Sequence, residues 1–170
     1  MKGCIEMAHL DELVDFVRKK ILNKERSLIA IDDFGGSGKS TLSNILVKEL
    51  GVFEVVRMDD FYLPTNQRPS ETKSNLPDGA FFDLDRLKNQ VLVPYKQNQA
   101  VTYQKYDWIK DKLSEKISVD STARIVVEGV YVLHEDIRNF FDLKIWVDCE
   151  LDLRLHRGLL RDGENPILFG

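Results

Sequence analysis

Residues 27–47 read Ser27-Leu28-Ile29-Ala30-Ile31-Asp32-Asp33-Phe34-Gly35-Gly36-Ser37-Gly38-Lys39-Ser40-Thr41-Leu42-Ser43-Asn44-Ile45-Leu46-Val47. An apolar run, a glycine-rich turn and an amphipathic run follow one another, which predicts strand, loop and helix N-terminus. The pattern G-x-x-x-x-G-K-[ST] fits positions 33–40 everywhere except its first residue, where Asp33 stands in place of glycine. Backbone N–H groups at 35–41 are expected to point at an anion, with the helix dipole adding positive potential. Lys39 is expected to reach the β- and γ-phosphates of a nucleotide, and the Ser40 hydroxyl to ligate Mg²⁺. The candidate nucleotide-binding residues are thus Asp33, Phe34, Gly35, Gly36, Ser37, Gly38, Lys39, Ser40 and Thr41. A carboxylate at 33 repels polyphosphate, and a position suited to glycine is expected to call for positive φ, which Asp tolerates better than most.

Outward from this loop the chain alternates strand and helix. Leu10, Leu13, Val14, Val17, Ile21 and Leu22 repeat at helical spacing, predicting a packing helix over about 8–23 within an N-terminal segment 1–26. The helix after the loop is expected to span about 39–50 and stop at Gly51. Strands are expected at 53–58, 124–128 and 143–148, with a short one at 101–103 and no assignment for 105–118. Leu84, Leu87, Val91 and Leu92 predict a helix over about 83–94, and 150–161 reads as a helix carrying Arg154, Arg157 and Arg161. Residues 63–80, with Pro64, Pro69, Pro77 and Gly79, form a long surface excursion. This order predicts one α/β domain over 1–170, a three-layer sandwich with a mainly parallel central sheet and helices on both faces. Ligands of such sheets bind outside the strand carboxyl ends, where the loop, Asp59-Asp60, Glu128 and Asp148 all fall.

Composition narrows the function classes. With 170 residues, 43% hydrophobic and 31% charged, the chain suits a single globular domain. Net charge −4 and a pI near 5.4 argue against a nucleic-acid-binding face. Three histidines and two distant cysteines, Cys4 and Cys149, disfavour zinc chemistry and predict reduced thiols. With neither an apolar leader core nor a membrane-length segment, a cytoplasmic protein without membrane or nucleic-acid partner is expected. A homo-oligomer is compatible with this composition.

Other residues separate the chemistries a phosphate loop can serve. A GTPase would need an N-K-x-D guanine reader, which the sequence lacks. A small-molecule kinase needs a carboxylate for the attacking hydroxyl and cations for the transferring phosphoryl group. Asp59 and Asp60 follow a strand and suit the first need, although such a pair also serves as a turn or cap. Arg154, Arg157 and Arg161 suit the second as a closing lid at about 150–165, although arginines at helical spacing also make a solvated face. Glu128 ends an apolar strand, where an unpaired carboxylate is costly. A nucleotide-binding regulator without transferase activity and a partner-driving ATPase are the competing readings.

Gly35 to Thr41, Met58-Asp59-Asp60-Phe61-Tyr62, Phe82-Asp83, Tyr106-Asp107, Val127-Glu128-Gly129 and Arg154-Leu155-His156-Arg157 to Arg161-Asp162 occur in this order. Over about 27–162 the chain resembles the uridine kinase and phosphoribulokinase group of P-loop kinases. The resemblance implies a P-loop NTPase fold and ATP- and Mg²⁺-dependent phosphorylation of a small-molecule hydroxyl. It implies Asp59 as the base, with a place on the metal side beside Ser40 and Glu128. Asp83 would hold substrate hydroxyls and Tyr106 would line the acceptor pocket, with Asp60, Tyr62 and Asp107 as further substrate-side candidates. Arg157 and Arg161 would be lid residues on the phosphates, acting with Lys39. Uridine kinases carry a pyrimidine-reading histidine after the Tyr-Asp-aromatic step, whereas this chain continues Trp108-Ile109-Lys110-Asp111-Lys112. The acceptor is therefore left open among nucleosides, sugars and vitamin-like alcohols. The apolar Pro166-Ile167-Leu168-Phe169-Gly170 reads as an interrupted element, so a truncated or shortened C-terminus is expected.

Overall fold

Leu28 and Ala30 face one side of strand β1 (Leu28–Asp32), while Ile29 and Ile31 face the other, and every residue of the strand is buried. A strand apolar on both faces belongs at the centre of a covered parallel sheet. The computed structural model of the protein, which describes residues 9–21, 23–51, 53–70, 75–120 and 122–162, puts it there. The four-stranded sheet has the order β2-β5-β1-β6, with β2 (Phe53–Arg57), β5 (Arg124–Gly129) and β6 (Leu143–Trp146). All three pairings are parallel, with Ile31 opposite Glu128 and Arg57 opposite Glu128 on the other flank.

Helices α1 (Leu10–Ile21) and α2 (Lys39–Leu50) cover one face, where Val14, Val17 and Ile21 pack with Leu42 and Leu46 on Ile29, Ile31 and Val126. Asp11 and Glu12 in the first turn of α1 and Arg18, Lys19 and Lys20 in its last complement the helix dipole. Gly51 caps α2, its N–H bonding to the Val47 carbonyl. The opposite face is covered by α3 (Leu84–Leu87), which continues through a π-helical stretch (Lys88–Leu92) into α4 (Val93–Lys96). The sequence predicts one plain helix here. Pro94 has no N–H to give the preceding turn, and the wider winding accommodates that gap.

The largest departure from expectation is a hairpin outside the main sheet. Strands β3 (Val101–Asp107) and β4 (Lys112–Val119) pair antiparallel, with an irregularity between Gln104 and Tyr106. Val101 and Tyr103 enter the core beneath it. Strand β2 is shorter than predicted, because Met58–Phe61 wind into a 3-10 turn. The excursion is closed at its base, where Leu63 N–H donates to Phe81 O and Asp83 N–H donates to Phe61 O. The lid segment forms α5 (Leu151–Asp162). Among the described residues, no helix is long and apolar enough to cross a membrane. Cys4 lies outside the described residues, and Cys149 is a free, part-buried thiol just past β6.

Candidate active site

The loop between β1 and α2 has the conformation an anion site requires. Gly38 at the head of α2 is left-handed, and no side chain caps the helix N–H groups. No acidic residue occupies the first turn. The orphan donors of α2 are thus left to an external acceptor, with the dipole behind them. Lys39 is buried, and its Nζ turns back to donate to the Asp33 and Phe34 carbonyls at 2.7 and 2.6 Å. Burial pushes the Lys39 amine below its ordinary pKa, opposed by the charges of Glu128, Asp33, Asp32 and Asp59.

Glu128 lies at the carboxyl end of β5 beside that loop. Its Oε1 accepts from Ser40 Oγ at 3.0 Å and is 3.4 Å from Arg57 Nε. Burial raises its pKa; the Ser40 bond and the cations Arg57 and Lys39 pull the other way, while Asp59 reinforces the rise. Asp59 is exposed on the Met58–Phe61 turn and close enough to act on both Lys39 and Glu128. That turn packs tightly on the sheet. A Cβ at Gly129 (φ +149°) would collide with Met58 Cβ and lie 3.3 Å from Met58 Cα, so glycine is required.

Asp33 behaves differently from the expectation. It is not among the residues of positive φ, so the backbone here does not demand glycine. Its side chain is buried, and Oδ2 has no hydrogen-bond partner. The preceding Asp32, absent from the sequence candidates, is also buried and accepts from Leu133 N–H at 2.6 Å, pinning the turn after β5. Burial raises the Asp32 pKa despite that bond.

Asp60 points to the hairpin, where its Oδ2 accepts from Tyr103 Oη at 2.9 Å and lies 3.5 Å from Lys105 Nζ. Asp83 caps α3, accepting from Arg86 N–H at 2.9 Å and from Arg86 Nε at 3.2 Å. Arg86 is the functional residue that sequence reasoning missed. Its buried guanidinium also donates to the carbonyls of Asp60, Tyr62 and Gln104, and lies over the Phe61 ring. A single arginine thereby fixes the Asp59-bearing turn to α3 and to β3.

The two tyrosine candidates meet in a ring cluster. Tyr62 packs against Phe82, Tyr106 and Trp108, with centroids 5.0, 5.9 and 4.9 Å away. Arg68 lies 4.5 Å over Tyr62 and donates to Tyr106 Oη, which itself donates to Asp111 at 2.7 Å. Asp107 is drawn into the hairpin turn, accepting from Ile109 and Lys110 N–H.

Helix α5 lies against the loop. The Arg154 guanidinium sits 4.7 Å over the Phe34 ring, and a Cβ at Gly36 (φ +79°) would come within 2.6 Å of the Arg154 carbonyl oxygen. Arg157 Nη1 donates to Cys149 Sγ at 3.7 Å and would lie 3.9 Å from a Cβ at Gly38. The backbone of Arg161 belongs to α5, while its side chain lies outside the described residues. Asp148 is exposed past the end of β6.

The donor set fits a hard divalent cation. Ser40 and Glu128 offer adjoining oxygens and Asp59 a third nearby, which suits Mg²⁺ completed by phosphate and water oxygens. Among the described residues, no group of three or more acidic, His or Cys side chains forms a metal cage by itself.

A family model described as the phosphoribulokinase/uridine kinase family matches residues 28–165. Similar curated proteins include the uridine kinase of Borrelia duttonii (strain Ly), 33% identical over 140 residues, covering 79% of this chain and 66% of that one. The uridine kinase of Limosilactobacillus reuteri (strain DSM 20016) is 29% identical over 146 residues, covering 82% and 66%. The chain thus spans 66% of the length of these relatives, just under two thirds. Among solved structures, a protein described as a possible uridine kinase from Bacillus stearothermophilus superposes with a TM-score of 0.67 at 26% identity, covering 88% of this chain and 85% of its own. A candidate fructose transport system kinase from Silicibacter sp. TM1040 gives 0.72 at 26% identity, covering 91% and 82%. Both likenesses agree with a parallel α/β sheet that carries a phosphate loop.

Proposed function

The chain belongs to the phosphoribulokinase/uridine kinase family, and we propose that it transfers the γ-phosphoryl group of ATP to a hydroxyl of a small molecule. The observation that carries this reading is the Ser40–Glu128 hydrogen bond, with Lys39 and Asp59 acting on the same carboxylate. It joins a phosphate-loop hydroxyl, a strand-end carboxylate and an exposed candidate base at one end of the sheet.

In this mechanism Asp59 takes the proton of the acceptor hydroxyl as its oxygen attacks the γ-phosphorus, and the bond to the β-bridging oxygen breaks. Lys39 leaves the Asp33 and Phe34 carbonyls for the phosphate oxygens, while the α2 N–H groups hold the chain in line. Ser40 and Glu128 would hold Mg²⁺, which supplies charge neutralisation on the phosphates. Arg157, with Arg161, approaches from α5 to offset charge in transfer and exclude water. Tyr62, Tyr106 and Asp83 would border the acceptor, with Asp60 holding Tyr103 and Lys105 and Asp107 holding the hairpin backbone. The class of acceptor is a nucleoside, sugar or vitamin-like alcohol; similar proteins are named for uridine and for fructose transport.

The test is a phosphoryl-transfer screen with ATP and Mg²⁺ against those three acceptor classes, with Asp59→Asn beside the unmodified chain. The expected result is a phosphorylated alcohol that disappears in Asp59→Asn while ATP binding persists. Full turnover by Asp59→Asn would remove Asp59 from its role. Nucleotide binding without product from any acceptor would favour the second reading, a nucleotide-binding regulator, to which the buried carboxylate of Asp33 lends some weight.

A further inference from the structure

The two flanks of the phosphate loop differ in chemistry. On one side Lys39 and Ser40 face Glu128 and Asp59. On the other, Ser37, Gly38 and Thr41 border a cavity of about 490 Å³. That volume falls within the roughly 300–1,000 Å³ of ordinary small-molecule sites. A triphosphate whose reacting end lies at Asp59 must leave its organic end on the opposite flank.

Four features make that flank a site rather than a packing gap. Leu10 and Leu13 of α1, Leu42 and Ile45 of α2 and Val147 past β6 line it. This is an apolar slot continuous with the loop. Arg157 lines the same cavity, and a guanidinium stacks well on a planar ring. Ser37 lines it too: the residue is 5% exposed, yet its Oγ has no hydrogen-bond partner. A buried hydroxyl left unpaired is costly, and a ligand oxygen or nitrogen would relieve it. His9, which also lines the slot, offers a donor and an acceptor for a ring edge.

We infer that α1 supplies one wall of the donor-base site, and that the slot between α1 and α2 holds the purine ring of the nucleotide. The inference rests on the loop binding a nucleoside triphosphate, as in the function proposed above. It goes further by giving base recognition to an element that precedes residue 28, where the family match begins. A cavity of about 490 Å³ leaves room for the two fused rings of a purine.

Isothermal titration of ATP, GTP, UTP and inorganic tripolyphosphate, each with Mg²⁺, tests this on the unmodified chain and on Leu10→Trp and Leu13→Trp. Leu10 is 45% exposed, so filling the slot from that position leaves the core intact. ATP is expected to bind well above tripolyphosphate and UTP. Either substitution should erase about tenfold of that margin while leaving tripolyphosphate within about twofold. Photolabelling of the unmodified chain with 8-azido-ATP should mark residues 9–13. Unchanged ATP affinity in both variants, a label only elsewhere, or equal binding of UTP and ATP overturns the assignment while the phosphate loop stands. Binding of neither ATP nor tripolyphosphate to the unmodified chain overturns the nucleotide reading and this inference with it.

Discussion

Ser40 Oγ and Glu128 Oε1 lie 3.0 Å apart, joining the first turn of α2 to the end of β5. The hydroxyl donates, so the bond favours a carboxylate acceptor, yet burial wins and holds the Glu128 pKa above its ordinary 4.5. Between its unfolded and folded pKa, Glu128 therefore binds a proton in the folded protein that the unfolded chain has already released. Stability from this group is present below the unfolded value and is lost as pH rises through the folded one. Glu128→Gln is expected to match the parent in melting temperature near pH 4 and to exceed it increasingly toward neutrality. A melting series across that range checks it; a constant gap would contradict the assignment. Transfer activity should fall in the same variant, because an amide is a poor partner for Mg²⁺.

Gly36 is held against α5 by more than its positive φ. Gly36→Ala must move the Arg154 carbonyl or the loop itself, at a cost of about 1–3 kcal/mol. The variant should show a lowered melting temperature and faster proteolysis within 151–162. Unchanged cleavage would mean that α5 does not rest on the loop in solution.

Arg86→Met would strip donors from three carbonyls and from Asp83 in a buried site. The expected loss is about 3–5 kcal/mol in denaturant unfolding, as for breaking one side of a buried charge pair. Arg68→Met, at the more exposed ring cluster, should cost about 1 kcal/mol at most. Similar losses from both would refute the hub role of Arg86.

Asp33→Gly removes a buried carboxylate oxygen that has no partner. It also removes a negative charge that acts on Lys39 and would repel a polyphosphate in the loop. ATP is expected to bind roughly tenfold more tightly, equivalent to about 1.4 kcal/mol. Because φ at 33 is not positive, glycine brings no relief of backbone strain, and its extra unfolded-state freedom costs up to about 1 kcal/mol. Titration of ATP into both proteins decides the matter; equal affinities would show that the carboxylate is electrostatically silent.

The β1–loop–α2 unit, the four parallel strands and the helices on both faces were legible, because each writes its burial into a local period. Glu128 could be singled out because a carboxylate ending the apolar run Ile125-Val126-Val127 has no local excuse. The hairpin was hidden for the opposite reason. Lys112, Glu115 and Lys116 of β4 are exposed, so the strand shows no continuous apolar alternation, and the turn that forms it relies on Asp111 at φ +47°. Arg86 was invisible because an arginine one turn into an amphipathic helix looks solvated; only the fold brings four acceptors around it. Asp60, Asp83 and Asp107 were read for their charge, whereas in three dimensions each also holds backbone or a neighbouring side chain in place.

The hairpin and the Asp59-bearing turn are bolted together by Tyr103 on Asp60, Phe61 stacked on Tyr103, and Arg86 bridging Asp60 and Gln104. Evolution and protein engineering would therefore find this site hard to retune piecemeal. A substitution in β3 that reshapes the ring cluster around Tyr62 also shifts the ground on which Asp59 stands. New acceptor preferences should arise together with changed turnover, and compensating changes should gather in Phe61, Arg86 and Tyr103 rather than in the phosphate loop.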